Sequence, residues 1–246
     1  MSVLTLKLAG PLQSWGASAR FARRTTESAP TKSGIIGLLA AAKGIQRGDD
    51  ESLRRLAALR FGVRIDQPGA RLRDFQTAHH AVTGKSMPLS ERYYLADAVF
   101  VAALEGDHEL LTDLHAALRT PVYAPFLGRR SCPPAHPVDL HLHHGPDLLQ
   151  ALRDEPWQAS AWYRRQHRDE AAVKLAVLHE ASPDDTSGDV LRDQPVSFAT
   201  EHRRHALRTV VRREVTVPND AAATRKTRPT ATPHDPFAAL EEETSA

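Results

Sequence analysis

Cysteine is nearly absent from this chain. The single residue, Cys132, excludes an internal disulfide and any zinc site built on thiolates, and it fits a reducing compartment. No stretch approaches the roughly 18 consecutive apolar residues that a membrane helix needs. The first residues, Met1 to Leu8, are too short and too polar a run for the apolar core of a signal peptide. A soluble, cytoplasmic protein with no membrane partner is expected. No internal repeat is visible, and no serine sits on a nucleophile elbow. Cys132, between Ser131 and Pro133, has no recognisable catalytic context.

Net charge is also scarce, +2 over 246 residues. Its distribution is uneven. Residues 1–100 carry 15 Lys and Arg against 8 Asp and Glu, and the remainder is net acidic. A positive N-terminal part suits a binder of phosphate backbones, although a dipolar surface without a ligand has the same signature. The apolar fraction of 41% is enough for one large core with a smaller annex.

What is present reads as an ordered series of elements. Val3-Leu4-Thr5-Leu6-Lys7-Leu8 alternates as a first strand does. A glycine-bounded loop follows at residues 10–16, then a basic segment with Arg20, Arg23 and Arg24. Thr31 or Ser33 caps a helix through Ile35, Leu39 and Ala42 that closes at Gly44, and Asp49-Asp50-Glu51 opens a second helix, with acids where the dipole prefers them. Strands are expected at 61–65, 71–77 and 93–104, and an amphipathic helix at 107–118. The polar, turn-rich residues 79–90 form a projecting hairpin or loop. This order of strand, helix, two strands and helix predicts an α+β, modified ferredoxin-like unit. Beyond it lie a proline-rich basic segment (121–137), a short helix (147–153) and strands at 171–179 and 208–217, separated by an acidic, turn-prone link at 182–193. The division expected is a ferredoxin-like domain over 1–145, an α/β extension over 146–218 and a disordered tail over 219–246.

Residues able to carry chemistry cluster early. Pro30-Thr31-Lys32-Ser33-Gly34 sits at a helix start, where free amides favour an anion and Lys32 adds charge. It is not a nucleotide-triphosphate loop, because no glycine precedes Lys32 and none lies five residues before it. Arg20, Arg23, Arg24, Arg129 and Arg130, with Trp15, Tyr123 and Phe126 as aromatic neighbours, suit nucleic acid: guanidiniums clamp phosphates and rings stack on bases. Lys32, Arg24 and Arg129 are expected in one groove. Histidine is abundant, with 13 residues, and His141 and His143 share one face of an apparent strand. No carboxylate pattern accompanies them, so no metal site and no cofactor is expected. His79 or His80, with Lys85 and Tyr93 or Tyr94, contains the base, cation and acid of a metal-free RNA cleavage site, in residue types too common to be diagnostic.

Several segments together resemble one family. They are Leu8-Ala9-Gly10-Pro11-Leu12-Gln13-Ser14-Trp15-Gly16, then Pro30-Thr31-Lys32-Ser33-Gly34-Ile35-Ile36-Gly37-Leu38-Leu39, Phe61-Gly62-Val63-Arg64 and Asp74-Phe75-Gln76-Thr77. Arg92-Tyr93-Tyr94-Leu95-Ala96-Asp97-Ala98 and Leu127-Gly128-Arg129-Arg130-Ser131-Cys132-Pro133 follow. In this order they resemble the fifth Cas protein family of the RAMP superfamily, in its type I-E CRISPR Cascade branch, over most of residues 2–140. The resemblance implies a ferredoxin-like fold with a β-hairpin thumb, here about residues 78–91. It implies a non-catalytic, antiviral RNA-binding subunit that grips the 5′ handle of the CRISPR RNA and caps the backbone filament. The partners implied are that RNA, the backbone subunit beside its 5′ end, the large subunit and, only indirectly, target DNA. Gln13, Trp15, Arg20, Arg23, Arg24, Lys32, Ser33, Gly34, Lys85, Tyr123, Arg129 and Arg130 are the residues placed on the RNA, with Trp15 as readily a core residue as a stacking one. A relative in type I-C systems cleaves precursor RNA, so the alternative is a metal-independent endoribonuclease on the same fold. A cap that touches only protein is the third class.

Overall fold

The computed structural model describes residues 1–17, 23–182, 185 and 187–222. In chain order the elements are β1 (Ser2–Ala9), β2 (Leu12–Gln13), β3 (Arg23–Arg24), α1 (Lys32–Lys43), α2 (Asp50–Ala57), β4 (Arg60–Gln67), β5 (Ala70–Gln76), β6 (Ser90–Ala96) and β7 (Val99–Gly106). There follow α3 (His108–Arg119), β8 (Asp139–His144), α4 (Leu148–Asp154), α5 (Ala161–Gln166), β9 (Ala172–Glu180), β10 (Asp189–Ser197) and β11 (Arg204–Pro218).

The ferredoxin-like unit is β1, α1, β4, β7, α3 and β8, with its four strands adjacent in the order β4-β7-β1-β8 and every pair antiparallel. Its helices start and stop where the sequence indicates. The Thr31 side chain accepts the Gly34 amide at the head of α1, and Gly44 closes the helix at φ 75°. Asp49 and Asp107 cap α2 and α3 in the same way. Alternation along β1 sends Leu4, Leu6 and Leu8 into one core with Ile35, Leu39, Leu111 and Leu114, and Val3 into a second core with Val101, Ala103, Leu148, Leu152 and Trp157. Helices α1 and α3 therefore cover one face of the sheet, and α4 with the following segment covers the other.

The extension expected from residue 146 joins the same sheet. Strand β9 pairs with β4, β11 with β9 and β10 with β11, so that one seven-stranded sheet runs β10-β11-β9-β4-β7-β1-β8. The link at 182–193, expected to be a turn, contains the start of β10. Its polar composition suits an edge strand paired on one side, which also tolerates Pro195. Residues 219–222, expected in the tail, are among the described residues. Asn219 is buried, and its side-chain amide donates to the carbonyls of His167 and Glu170 at 2.9 and 3.1 Å. Residues 223–246 lie outside the described residues.

The expected thumb is a larger hairpin than residues 78–91. Strands β5 and β6 pair over their full length, from Ala70 with Ala96 to Gln76 with Ser90, and residues 77–89 form its tip. The hairpin is inserted between β4 and β7 of the ferredoxin-like unit. Two tight backbone positions make the insertion: Gly69, at φ 69°, where a Cβ would meet Ala96 O at 2.5 Å, and Asp97, at φ 54°, which divides the single strand expected over 93–104 into β6 and β7.

A buried ion pair ties β4 to the second layer. All five N–H groups of Arg64 have acceptors. Nε and Nη2 hold the Asp66 carboxylate at 2.7 and 2.8 Å, Nη1 reaches the Leu152 and Glu155 carbonyls, and Nη2 also reaches that of Pro156. Asp66 in turn accepts the Gln158 amide at 2.6 Å. The guanidinium thus satisfies the orphan carbonyls at the end of α4.

Candidate nucleic-acid interface

A groove of about 980 Å³ opens beside α1. Its floor is Trp15 and the small residues Gly34, Gly37 and Ala41, and its walls include Tyr123, Phe126 and Phe198. The close floor follows from the sequence, because a Cβ at Gly34 would stand 2.8 Å from the Trp15 ring. Trp15 is 1% exposed and donates its indole N–H to Gln13 Oε1 at 3.1 Å. Gln13, fully buried, donates its own amide to the Leu8 and Ala98 carbonyls at 3.0 and 2.7 Å. Gln13 and Trp15, expected on the RNA, instead form a satisfied polar network beneath the groove, and Trp15 is a packing residue there.

Arg47, Arg130 and Arg203 line the groove, and none has an acidic partner among the described residues. Arg203 lies over the Phe198 ring at 5.7 Å. Its guanidinium is held below its ordinary range by partial enclosure and then by the charge of Arg47. A guanidinium stays protonated in water-accessible protein, so this is an uncompensated cation pair that an anion relieves. Ser33, Gly34 and Tyr123 belong to the same groove, as does Gly16. Arg47, Phe198, Arg203 and His205 were missed by the sequence reading. They come from the turn after α1, the segment before β11 and the start of β11, and only the packing of β10 and α2 brings them to residues 121–133.

Next to the groove lies a second basic patch on the flank of the hairpin, along β6. Strand β3 runs parallel to β6, which sets Arg23 beside Glu91 and Arg24 beside Arg92. Arg129 donates Nη2–H to the Arg24 carbonyl at 3.0 Å, stacks over the Tyr94 ring at 4.7 Å, and keeps a buried Nη1 without a partner among the described residues. Gly128, at φ 84°, carries Arg129 and Arg130 across the 10–16 loop, and a Cβ there would collide with the Ser14 carbonyl. Arg23, largely exposed, is shared between Tyr93 Oη and Glu91. Arg24 and Arg129 are therefore brought together, but on this patch rather than in one groove with Lys32. Arg20 lies outside the described residues.

Lys32 departs from its expected role. Its side chain is 3% exposed, and Nζ contacts Glu180 Oε1 at 2.6 Å. The Lys32 amide, the anion-seeking group of the α1 start, donates to Asp193 Oδ2 at 2.7 Å. Arg208 completes this interior cluster by gripping Asp193 with two bonds. The phosphate site expected at the helix start is thus filled by a carboxylate of β10, a contact over 161 residues of sequence. Burial pushes the Lys32 ammonium down in pKa, and Glu180 opposes the shift. Lys32→Ala, which leaves buried carboxylates short of a cation, is expected to cost about 3 kcal/mol of stability in urea titrations. RNA affinity of the folded fraction stays within about threefold, a difference below 0.7 kcal/mol. Normal stability with weakened RNA binding would return Lys32 to the ligand surface.

Lys85 sits at the exposed hairpin tip, apart from the groove. Of the residues in the cleavage alternative, His80 Nδ1 accepts the Val82 and Thr83 amides at 3.4 and 3.2 Å and so closes a turn. His79 Nδ1 faces the Gly84 carbonyl at 3.1 Å, and Tyr94 is 3% exposed. Burial raises the Cys132 thiol pKa, as befits an inert core residue.

The antiparallel ferredoxin-like unit with its inserted hairpin and basic groove is the architecture of the RAMP superfamily. The family described as "CRISPR-associated protein (Cas_Cas5)" matches residues 3–211, and the chain belongs to that family. The match runs from residue 3 through most of the extension. The "CRISPR system Cascade subunit CasD" of Escherichia coli (strain K12) is 37% identical over 169 residues, 61% of this chain and 75% of that protein. Among solved structures, a chain of a "CRISPR RNA-guided surveillance complex" is 33% identical, with a TM-score of 0.73 over 90% of this chain and 93% of that one. A second, titled "Crystal structure of Cas protein", is 36% identical, with a TM-score of 0.67 over 89% and 97%. No helix among the described residues is long and apolar enough to cross a membrane.

Proposed function

We propose that this chain is a non-catalytic, RNA-binding subunit of a type I-E CRISPR surveillance complex in the cytoplasm. It holds the 5′ handle of the CRISPR RNA and caps the backbone filament. The observation that carries this reading is the groove beside α1, where Arg47, Arg130 and Arg203 have no acidic partner among the described residues and Tyr123, Phe126 and Phe198 provide ring faces. A bent single strand fits such a site: phosphates meet the guanidiniums while unstacked bases meet the rings. The likeness to a Cascade subunit and to a chain of an RNA-guided surveillance complex supports the same assignment. Arg23, Arg24 and Arg129 extend the basic surface toward the hairpin. The backbone subunit beside the 5′ end and the large subunit are the protein partners, and target DNA is met only indirectly.

Ribonuclease chemistry draws no support from the hairpin tip, because His80 is spent on a turn and Tyr94 is enclosed. Photocrosslinking the assembled particle tests the assignment directly. Handle nucleotides are expected to crosslink to residues 123–130 and 198–205, and a particle whose handle meets only other subunits would refute it. Specific cleavage of a full repeat RNA in chelator, lost on His79→Ala or His80→Ala, would overturn the non-catalytic part.

The hairpin tip gives a further prediction. Residues 81–88 are exposed and contribute nothing to either core. Deleting them is expected to leave the thermal midpoint of the isolated chain within about 2 °C, since surface changes are worth under about 0.5 kcal/mol. Recovery of the assembled particle falls severalfold. Loss of folding in the isolated chain would assign the tip to the body of the protein.

A further inference from the structure

The face of the sheet opposite α1 carries a second cluster. His141 and His143 stand two residues apart on the edge strand β8, and Glu155 caps the C-terminus of α4. Glu155 Oε1 lies 2.9 Å from His141 Nδ1 and 2.9 Å from His143 Nε2, while Oε2 lies 3.2 Å from His141 Nδ1. The sequence reading expected no carboxylate near these histidines. The fold brings one from α4, on the opposite side of a turn at Gly145.

This carboxylate is unusual in what surrounds it. Its side chain is fully buried, yet no Lys or Arg pairs with it among the described residues, and its charged faces meet only the two imidazoles and the Thr5 hydroxyl. A buried carboxylate requires a cation or strong donors to remain ionised. Three potential ligand atoms, two nitrogens and one oxygen, lie within 4.8 Å of one another. Metal–ligand bonds of about 2.0–2.2 Å in tetrahedral array separate ligand atoms by roughly 3.4 Å, so opening the cluster by about half an ångström admits an ion. The His141 side chain is 60% exposed, which leaves a fourth position facing solvent.

We propose that His141, His143 and Glu155 form a binding site for one first-row divalent cation of the zinc type, with water as the fourth ligand. The donor set selects the class: two imidazoles and one carboxylate suit Zn²⁺ or Co²⁺, whereas Mg²⁺ and Ca²⁺ prefer oxygen alone. The surroundings are those of a prepared site. Thr5, fully buried on β1 beside the edge strand, donates its hydroxyl to Glu155 Oε1 and so aims the carboxylate. Arg64 holds the Glu155 carbonyl at 2.7 Å, which fixes the backbone that presents it. The ion staples the edge strand β8 to the end of α4 across β1. Nothing in this site touches the RNA groove, so the inference stands apart from the function proposed above.

The test uses the full-length chain without a histidine tag, stripped with chelator and titrated with Co²⁺. One equivalent is expected to give the intense visible bands of four-coordinate Co²⁺, and one equivalent of Zn²⁺ displaces it and raises the thermal midpoint by several degrees. His141→Ala, at the most exposed ligand, keeps the fold by circular dichroism, loses the bands and binds Zn²⁺ at least about 100-fold more weakly. Glu155→Gln, which retains shape but not charge, weakens binding by a similar factor. No tetrahedral band from the unmodified chain at micromolar Co²⁺, or an undiminished band in folded His141→Ala or Glu155→Gln, overturns the site.

Discussion

Replacing Arg47, Arg130 and Arg203 together by alanine is expected to lower affinity for handle RNA about 100-fold or more near physiological salt. It should also flatten the plot of log affinity against log salt by about 2, because each neutralised phosphate of a single strand contributes about 0.7 to that slope. The reason lies in the arrangement rather than in the number of arginines. The chain has other arginines that face carboxylates, such as Arg60 with Glu105 and Arg213 with Asp185, and removing those changes the field at the groove little. The three groove residues have no such partner among the described residues, and Arg47 already raises the energy of the Arg203 charge. An incoming phosphate therefore relieves repulsion as well as gaining attraction. Folding should be unharmed or slightly improved, since surface cations that repel one another are being removed. Filter binding or fluorescence anisotropy at several salt concentrations checks both numbers. An unchanged slope would mean that the phosphates lie elsewhere, with the patch around Arg24 and Arg129 as the next place to look.

Arg64→Ala is expected to be the most damaging single substitution in the body of the protein, at about 3–5 kcal/mol. The guanidinium is fully buried and joins Asp66 to the carbonyls of Leu152, Glu155 and Pro156. Its loss strands a carboxylate and the end of a helix at once. Burial already raises the Asp66 pKa against the opposing pull of Arg64, so removing that pull raises it further. A carboxylate with a raised folded-state pKa binds its proton more tightly in the native state than in the unfolded one. Stability is then lost as pH rises from the unfolded value toward the folded one, and recovered as pH falls. The deficit of Arg64→Ala, measured by urea unfolding, should accordingly be smaller near pH 5 than near pH 8. Arg64→Ala combined with Asp66→Asn should be more stable than Arg64→Ala alone at pH 8. A deficit that ignores both pH and Asp66→Asn would place the cost in packing rather than in the stranded charge.

Much of the fold was legible because its signals are local. Thr31, Asp49 and Asp107 cap their helices through bonds spanning three residues, and Gly44 ends α1 by adopting a left-handed conformation. Such events depend on near neighbours, so they survive in the order of residue types. The alternation in β1 was equally visible, although it conveyed only half of the outcome. Thr5, polar in the pattern, is fully buried, because α4 covers the face that the pattern suggested was open. Strand β10 was invisible for the complementary reason. As an edge strand rich in polar residues it has little hydrophobic pattern, and its identity comes from pairing with β11.

The candidate site divides along the same line. The sequence by itself singled out segments that border the groove, the 10–16 loop, the α1 start and residues 121–133, and small residues at 34 and 37 are what let a wall approach so closely. Only the tertiary structure decided which side chains face out. Lys32 was drawn inward by Glu180, and its amide by Asp193, from strands late in the chain. Arg47 and Arg203 were left without acidic partners among the described residues, and Glu155 was carried to His141 and His143. For Lys32 the partners lie more than a hundred residues away, and electrostatic energy depends on spatial proximity, not on position in the chain.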